Sequence, residues 1–227
     1  YNERKNNFKT DTDLRKITYL VRSIEPSEAD YKAVEDEMSA VYNKLVETNN
    51  PALVVADYSE VPYQDVFFSE SMLSPEEKEF AQTASIGDVH GPIRDNDAFR
   101  LYKLVDRTVA PDSVNLKMIV LPQGTPLARV DSIYGVIHGG KDFATVANEI
   151  NPQSNGGEIG WATEPMLASA GEEFISKVYS ASKGDLLRMN LNGHNQIVKV
   201  EDITRPVPKV KLALVQMSVS VSDKTTY

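Results

Sequence analysis

The chain has 227 residues, with 33 acidic against 24 basic side chains and a formal net charge of −9. That balance disfavours a nucleic-acid binder, which draws its affinity from Lys and Arg on phosphates. The absence of cysteine excludes thiol catalysis, disulfides and thiolate zinc sites.

Hydrophobic residues make up 41% and charged ones 25%, close to globular averages, so one large domain or two of about 100 residues can each bury a core. No apolar run approaches the ~20 residues needed to cross a bilayer. The chain starts at Tyr1 on the charged run Asn2-Glu3-Arg4-Lys5 and reads as a piece of a longer polypeptide, residues 1–10 being the end of a preceding helix. The three histidines, His90, His138 and His194, are far apart and show no metal-type spacing, so no metal site is expected.

In chain order, Ile17-Thr18-Tyr19-Leu20-Val21 is strand-like. Ser27 then caps a helix whose apolar stripe is Tyr31, Val34, Met38, Val41 and Leu45, with Asp30 at the capping-box position. Pro75-Glu76-Glu77-Lys78-Glu79 reads as the charged first turn of a helix, and Asp88-Val89-His90-Gly91-Pro92 as a surface turn. Phe99 to Val105 alternates like a strand, and Leu116-Lys117-Met118-Ile119-Val120 is a further strand. Val130, Ile133, Tyr134 and Ile137 form one helical face ended by Gly139-Gly140. Phe143, Val146, Ala147 and Ile150 form another, and Asn195 to Val200 closes as a strand.

Much of this occurs twice. Met72-Leu73 with Glu79-Phe80 aligns with Met166-Leu167 with Glu173-Phe174 at an offset of 94 residues (166 − 72). Ile86-Gly87-Asp88-Val89 answers Lys183-Gly184-Asp185-Leu186, Leu101 to Asp106 answers Ile197 to Asp202, and Ile17 to Val21 answers Leu116 to Val120. Repetition in constant order marks tandem modules. The proline-bearing stretches Thr108-Val109-Ala110-Pro111-Asp112 and Arg205-Pro206-Val207-Pro208 read as boundaries. The expected division is 11–110, 111–208 and, at 209–227, the start of a following element whose Val210-Lys211-Leu212-Ala213-Leu214-Val215 resembles the opening strand once more. The fold class is α+β.

Ile137-His138-Gly139-Gly140-Lys141-Asp142-Phe143-Ala144-Thr145-Val146-Ala147 resembles the paired helices of parvulin-type peptidyl-prolyl cis-trans isomerases, and Gly156-Gly157-Glu158-Ile159-Gly160-Trp161 is similar to that family's GGDLGWF segment. Glu173-Phe174, Lys183-Gly184-Asp185 and Gln196 to Val200 resemble its later helix, turn and last strand, so the likeness covers nearly all of 113–204. The first module matches mainly through its repeat partner and reads as degenerate. Tandem modules of this kind are similar to the SurA- and PpiD-like folding factors of Gram-negative periplasms.

The resemblance implies two parvulin-like (FKBP-like) domains, each a four-stranded antiparallel sheet flanked by helices, with a groove for extended peptide. It also implies a periplasmic location, with an export signal or inner-membrane anchor outside this sequence. No cofactor is implied. The implied partners are unfolded or extended polypeptide clients, outer-membrane proteins among the candidates, with an oligomer left open.

Family members hydrogen-bond the twisting amide through two facing histidines and a Cys or Asp, above a socket of Leu, Met and Phe. Here Ile159, Met166 and Phe174 fall on the socket positions, although the Met-to-Phe spacing is about four residues longer than usual. Met118 and Gln196 hold the histidine positions, and Gln153 is nearest to the Cys/Asp position. His194, two residues from Gln196 on the same strand face, either substitutes or is the imidazole of a hairpin turn. The first-module equivalents are Tyr19, Met72, Phe80 and Arg100. Three readings stay open: a client-binding module with little or no isomerase activity, an isomerase with an atypical groove, and a structural spacer or dimerisation module.

Overall fold

The computed structural model describes Glu3, residues 17–20 and residues 23–226. The helix expected at residues 1–10 therefore lies, Glu3 apart, outside the described residues.

The apolar stripe after Ser27 does form a helix, α1 (Glu28–Glu47). The Ser27 side chain accepts from the Asp30 amide while the Asp30 carboxylate accepts from the Ser27 amide at 2.8 Å. Hydrogen bonds from Ser222, Thr225 and Ser27 hold the Asp30 carboxyl well below the usual carboxylate range. Tyr31, Met38, Val41 and Leu45 are buried, together with Val54 and Val55 of α2 (Pro51–Tyr58), against one face of a sheet. Then come β1 (Phe68–Ser69), α3 (Pro75–Thr83), β2 (Val89–Asp95) and β3 (Ala98–Pro111).

The chain goes on through β4 (Ser113–Val120), α4 (Leu127–His138), α5 (Phe143–Ile150), β5 (Glu158–Thr163), α6 (Glu172–Tyr179), β6 (Leu186–Leu191) and β7 (His194–Ile203). β8 (Pro206–Ser218) and the short α7 (Asp223–Thr226) follow. All strand pairs are antiparallel, in two four-stranded sheets of order β1-β8-β3-β2 and β5-β4-β7-β6.

These two orders correspond strand for strand, with β8 standing in the first sheet where β4 stands in the second. The segment 209–227 is therefore not the start of a following element: β8 crosses back into the first sheet and pairs with β3 from Ala98↔Ser218 to Pro111↔Pro206. Its position was expected for Ile17–Val21, but residues 17–20 form no strand, and Ile17, Tyr19 and Leu20 are exposed; Val21 lies outside the described residues. Past β8, the Thr225 hydroxyl bonds Ser27 Oγ and the Asp30 carboxylate at the start of α1. The end of the β8 segment thus lies beside α1, as β4 leads into α4.

The proline-bearing stretches, expected as boundaries, pair with each other. Val109↔Pro208, Ala110↔Val207 and Pro111↔Pro206 are register partners in a two-stranded ribbon, and only Asp112 separates β3 from β4. Proline is tolerated at ladder positions whose N–H would not be used. His90, expected in a surface turn, belongs to β2 and stacks on Phe80 with ring centroids 5.3 Å apart.

Each sheet is covered on both faces. In the first, Phe99, Leu101, Ala213 and Val215 meet α1 and α2, while Leu104, Val210 and Leu212 meet Ala81 and Phe80 of α3. In the second, Ile119 and Ile197 meet α4 and α5, while Val114, Leu116, Val198 and Val200 meet Phe174 and Val178 of α6. Lys103, buried under α1, donates to the Leu45 and Thr48 carbonyls at 2.5 and 2.7 Å. A cation there complements the negative end of the helix dipole, and burial pushes its ammonium pKa down.

Where the two modules meet, a buried ion pair joins Lys209 of β8 to Glu164 at 2.6 Å, with side-chain exposures of 1% and 6%. Lys209 also donates to the Pro111 carbonyl at 3.0 Å, and Glu164 accepts the Phe67 amide at 3.0 Å. Glu164→Ala should cost about 3–5 kcal/mol, because it strands a buried ammonium, whereas Glu164→Leu combined with Lys209→Met should be close to neutral; urea unfolding measures both. Removing residues 206–227 should abolish slow amide exchange at Phe99 and Leu101 and keep it at Ile119 and Ile197. Loss of protection in both sheets together would contradict a second module that folds on its own.

Candidate functional site

On the α6 side of the second sheet, β4 and β7 point Leu116, Met118, Gln196 and Val198 outward, since alternate residues of a strand share a face. The helices leave the end of this face open as a cleft of about 170 Å³. Ile159 of β5 forms one wall, Leu167, Ala170 and Phe174 another, and Leu191 with Asn192 of the β6–β7 hairpin closes the end.

The wall at Ile159 depends on two glycines. Gly157 has φ +76°, and a Cβ there would lie 2.7 Å from the Met118 carbonyl oxygen. Gly156 has φ +70°, and its Cβ would lie 2.8 Å from Ala144 Cβ. Only glycine lets β5 leave α5 and settle this closely on β4. Asn148 Oδ1 fixes the entry by accepting the Gly156 amide at 2.8 Å. Phe174, at the third position of α6, is buried and braces the opposite side.

The cleft brings Met118, Ile159, Phe174 and Gln196 together, but not Met166. Met166 is 66% exposed and outside the lining, and its neighbour Leu167 takes the place. The reason is local: Pro165–Ala170 is a 3₁₀ helix, in which neighbouring side chains point about a third of a turn apart. The long Met-to-Phe spacing was the available signal. His194 opens β7 with Nδ1 3.3 Å from the Leu121 carbonyl oxygen and does not line the cleft. Gln153 is exposed in the loop after α5 and does not line it either.

In the first module the register corrects two equivalences. The pair Leu214–Tyr102 stands where Met118–Val198 stands in the second sheet, so Leu214, not Tyr19, is the counterpart of Met118. On α3 the third position, held by Phe174 in α6, is Glu77 rather than Phe80. The 94-residue alignment slips by three residues, close to one helical turn, which keeps an apolar pattern in place. Phe80 packs on His90 and the Leu104 cluster instead. Met72 does line the first-module cleft. Arg100 sits on β3 as Gln196 does on β7, bound to Asp95 at 2.7 Å and to Gln216 at 2.9 Å.

No lining residue of the second-module cleft ionises. Its polar groups are the Asn192 and Gln196 amides, and Gln196 Oε1 is buried without a hydrogen-bond partner among the described residues. Such a site can exclude water from an apolar side chain and accept one N–H. It has no side chain to donate or remove a proton through acid–base chemistry.

Residues 99–204 match the family described as PPIC-type PPIASE domain. That segment is similar to a parvulin-type domain. Chaperone SurA of Yersinia pestis bv. Antiqua (strain Antiqua) and of Yersinia pseudotuberculosis serotype I (strain IP32953) are each 27% identical to it over 148 residues, 58% of this chain and 33% of the relative. The chain therefore spans about a third of the length of the curated relatives it matches. Among solved structures, PrsA from Bacillus subtilis is similar over 40% of this chain and 35% of its own (TM-score 0.34, 16% identity). The parvulin domain of PpiD from E. coli is similar over 42% and 92% (TM-score 0.33, 21% identity).

At the wall of this cleft Gly157→Ala should cost about 1–3 kcal/mol through backbone strain and the clash with Met118. Gly160→Ala, with φ +79° but open space at its Cβ, should cost less, about 1–2 kcal/mol. Denaturant midpoints of the two variants test the order.

Proposed function

We propose that this chain is part of a periplasmic folding factor whose parvulin-type cleft holds extended, unfolded client segments while accelerating X-Pro isomerisation little or not at all. The kinship to SurA chaperones supports a role in folding, and the periplasmic assignment rests on that kinship. Among the described residues no helix is long and apolar enough to cross a membrane.

The observation that carries the reading is the cleft's chemistry. An amide must pass a barrier of about 18–20 kcal/mol as it twists, and a catalyst has to bind the twisted form better than either planar isomer. Polar groups placed where charge develops are the strongest means. Met118 and Gln196 occupy the two positions where the family resemblance puts histidines, and the remaining lining is almost wholly apolar. Burial of a proline or aliphatic side chain against Met118, Ile159, Leu167 and Phe174 stabilises both planar isomers about equally, which favours holding over turnover.

Unpartnered Gln196 Oε1 supports a second reading, a slow isomerase that hydrogen-bonds the client backbone through this amide. NMR exchange spectroscopy on an Ala-Pro peptide separates the two. Expected are shifts at Leu116, Met118, Ile159 and Phe174 with exchange near the uncatalysed rate, and loss of the shifts in Phe174→Ala. Exchange more than about tenfold above background that Gln196→Ala abolishes would establish the isomerase instead. A cleft unperturbed at millimolar peptide would leave the modules as spacers.

A further inference from the structure

The first module has its own cleft, of about 230 Å³, at the place corresponding to the second-module site. Tyr102, Leu212 and Leu214 form its floor, so it does not exist until β8 has joined the sheet. Tyr63, Phe68, Met72 and Leu73 supply its walls, and Glu77 stands where the second cleft has Phe174. Of these residues only Tyr102 lies in the segment that matches the parvulin-type family.

The exchange of phenylalanine for a carboxylate changes what fits. Three aromatic rings, Tyr63, Phe68 and Tyr102, now share a cleft with one half-buried carboxylate and no basic residue. Glu77 Oε2 accepts the Ser74 amide at 2.8 Å. Burial, and then the Glu77 charge, push the Tyr102 phenol up. Burial and Asp65 push Tyr63 up to about 12. Arg100, beside Tyr102, is already paired with Asp95 at 2.7 Å, and Lys211 with Asp65. Aromatic faces and a partly desolvated carboxylate together complement an ammonium or guanidinium on an apolar stem.

We propose that the first-module cleft is a second peptide site, selecting extended segments in which a lysine or arginine adjoins an apolar residue. It rests on the reading that clefts of this type hold extended polypeptide, and adds a charge preference that the second cleft has no group to provide.

The test is a titration of the whole isotope-labelled chain with a capped Gly-Ser-Leu-Lys-Leu-Ser-Gly peptide and with analogues carrying norleucine or glutamate for the lysine. The lysine peptide should shift amides of Tyr63, Phe68, Leu73, Tyr102 and Leu214, and bind about tenfold more tightly than the norleucine analogue. Glu77→Gln retains a capping oxygen, so it should weaken the lysine peptide about fivefold and leave the norleucine peptide unchanged. Should that variant lose stability, raising salt on the unmodified chain must weaken the lysine peptide selectively. Equal binding of lysine and norleucine peptides, or shifts confined to the Met118–Phe174 cleft, would overturn the proposal. If the second cleft takes the Ala-Pro peptide while the first ignores lysine, this proposal alone fails. If neither cleft takes any peptide, the reading beneath it fails too.

Discussion

The fold turns on one long antiparallel pairing, β8 against β3. Thirteen register partners join them, from Ala98↔Ser218 to the ribbon at Pro111 and Pro206. Ala213 and Val215 bury toward α1 and α2, while Val210 and Leu212 bury toward α3. Without this strand the first sheet would divide, β1 on one side and β3 with β2 on the other, and neither helical layer would have a continuous surface to cover. The same strand carries Lys209 into its buried contact with Glu164. A buried pair is weak evidence for net stability, since desolvation offsets much of the attraction. Its geometric effect is plainer: the carboxylate also binds the Phe67 amide, fixing the entry to β1 against the segment that leads to the second cleft.

Local features were legible in the sequence because local physics decides them. The stripe from Tyr31 to Leu45 and the reciprocal Ser27–Asp30 cap fix α1 from spacing alone. Met118, Ile159, Phe174 and Gln196 of the second cleft were named through the family resemblance, and strand alternation explains only why Met118 and Gln196 share their faces with Leu116 and Val198.

What was not legible is non-local. Ile17–Val21 and Val210–Val215 carry nearly the same pattern, and nothing within either segment says which one enters the first sheet. Pairing across such a distance is decided by the whole assembly, not by propensity. The prolines of the β3–β8 ribbon were misleading for a related reason: a missing donor argues against a strand only where that donor would be used. The misalignment of Phe80 with Phe174 came from helical periodicity, which lets apolar residues match after a slip of nearly a turn while the residue facing the cleft changes from phenylalanine to glutamate.

The nested order also sets a sequence of events during synthesis. A ribosome delivers α1, α2 and β3 long before β8, so those apolar faces wait while every strand of the second sheet emerges and can close. The half that begins with α1 is therefore the later one to mature, because its sheet stays divided until β8 arrives.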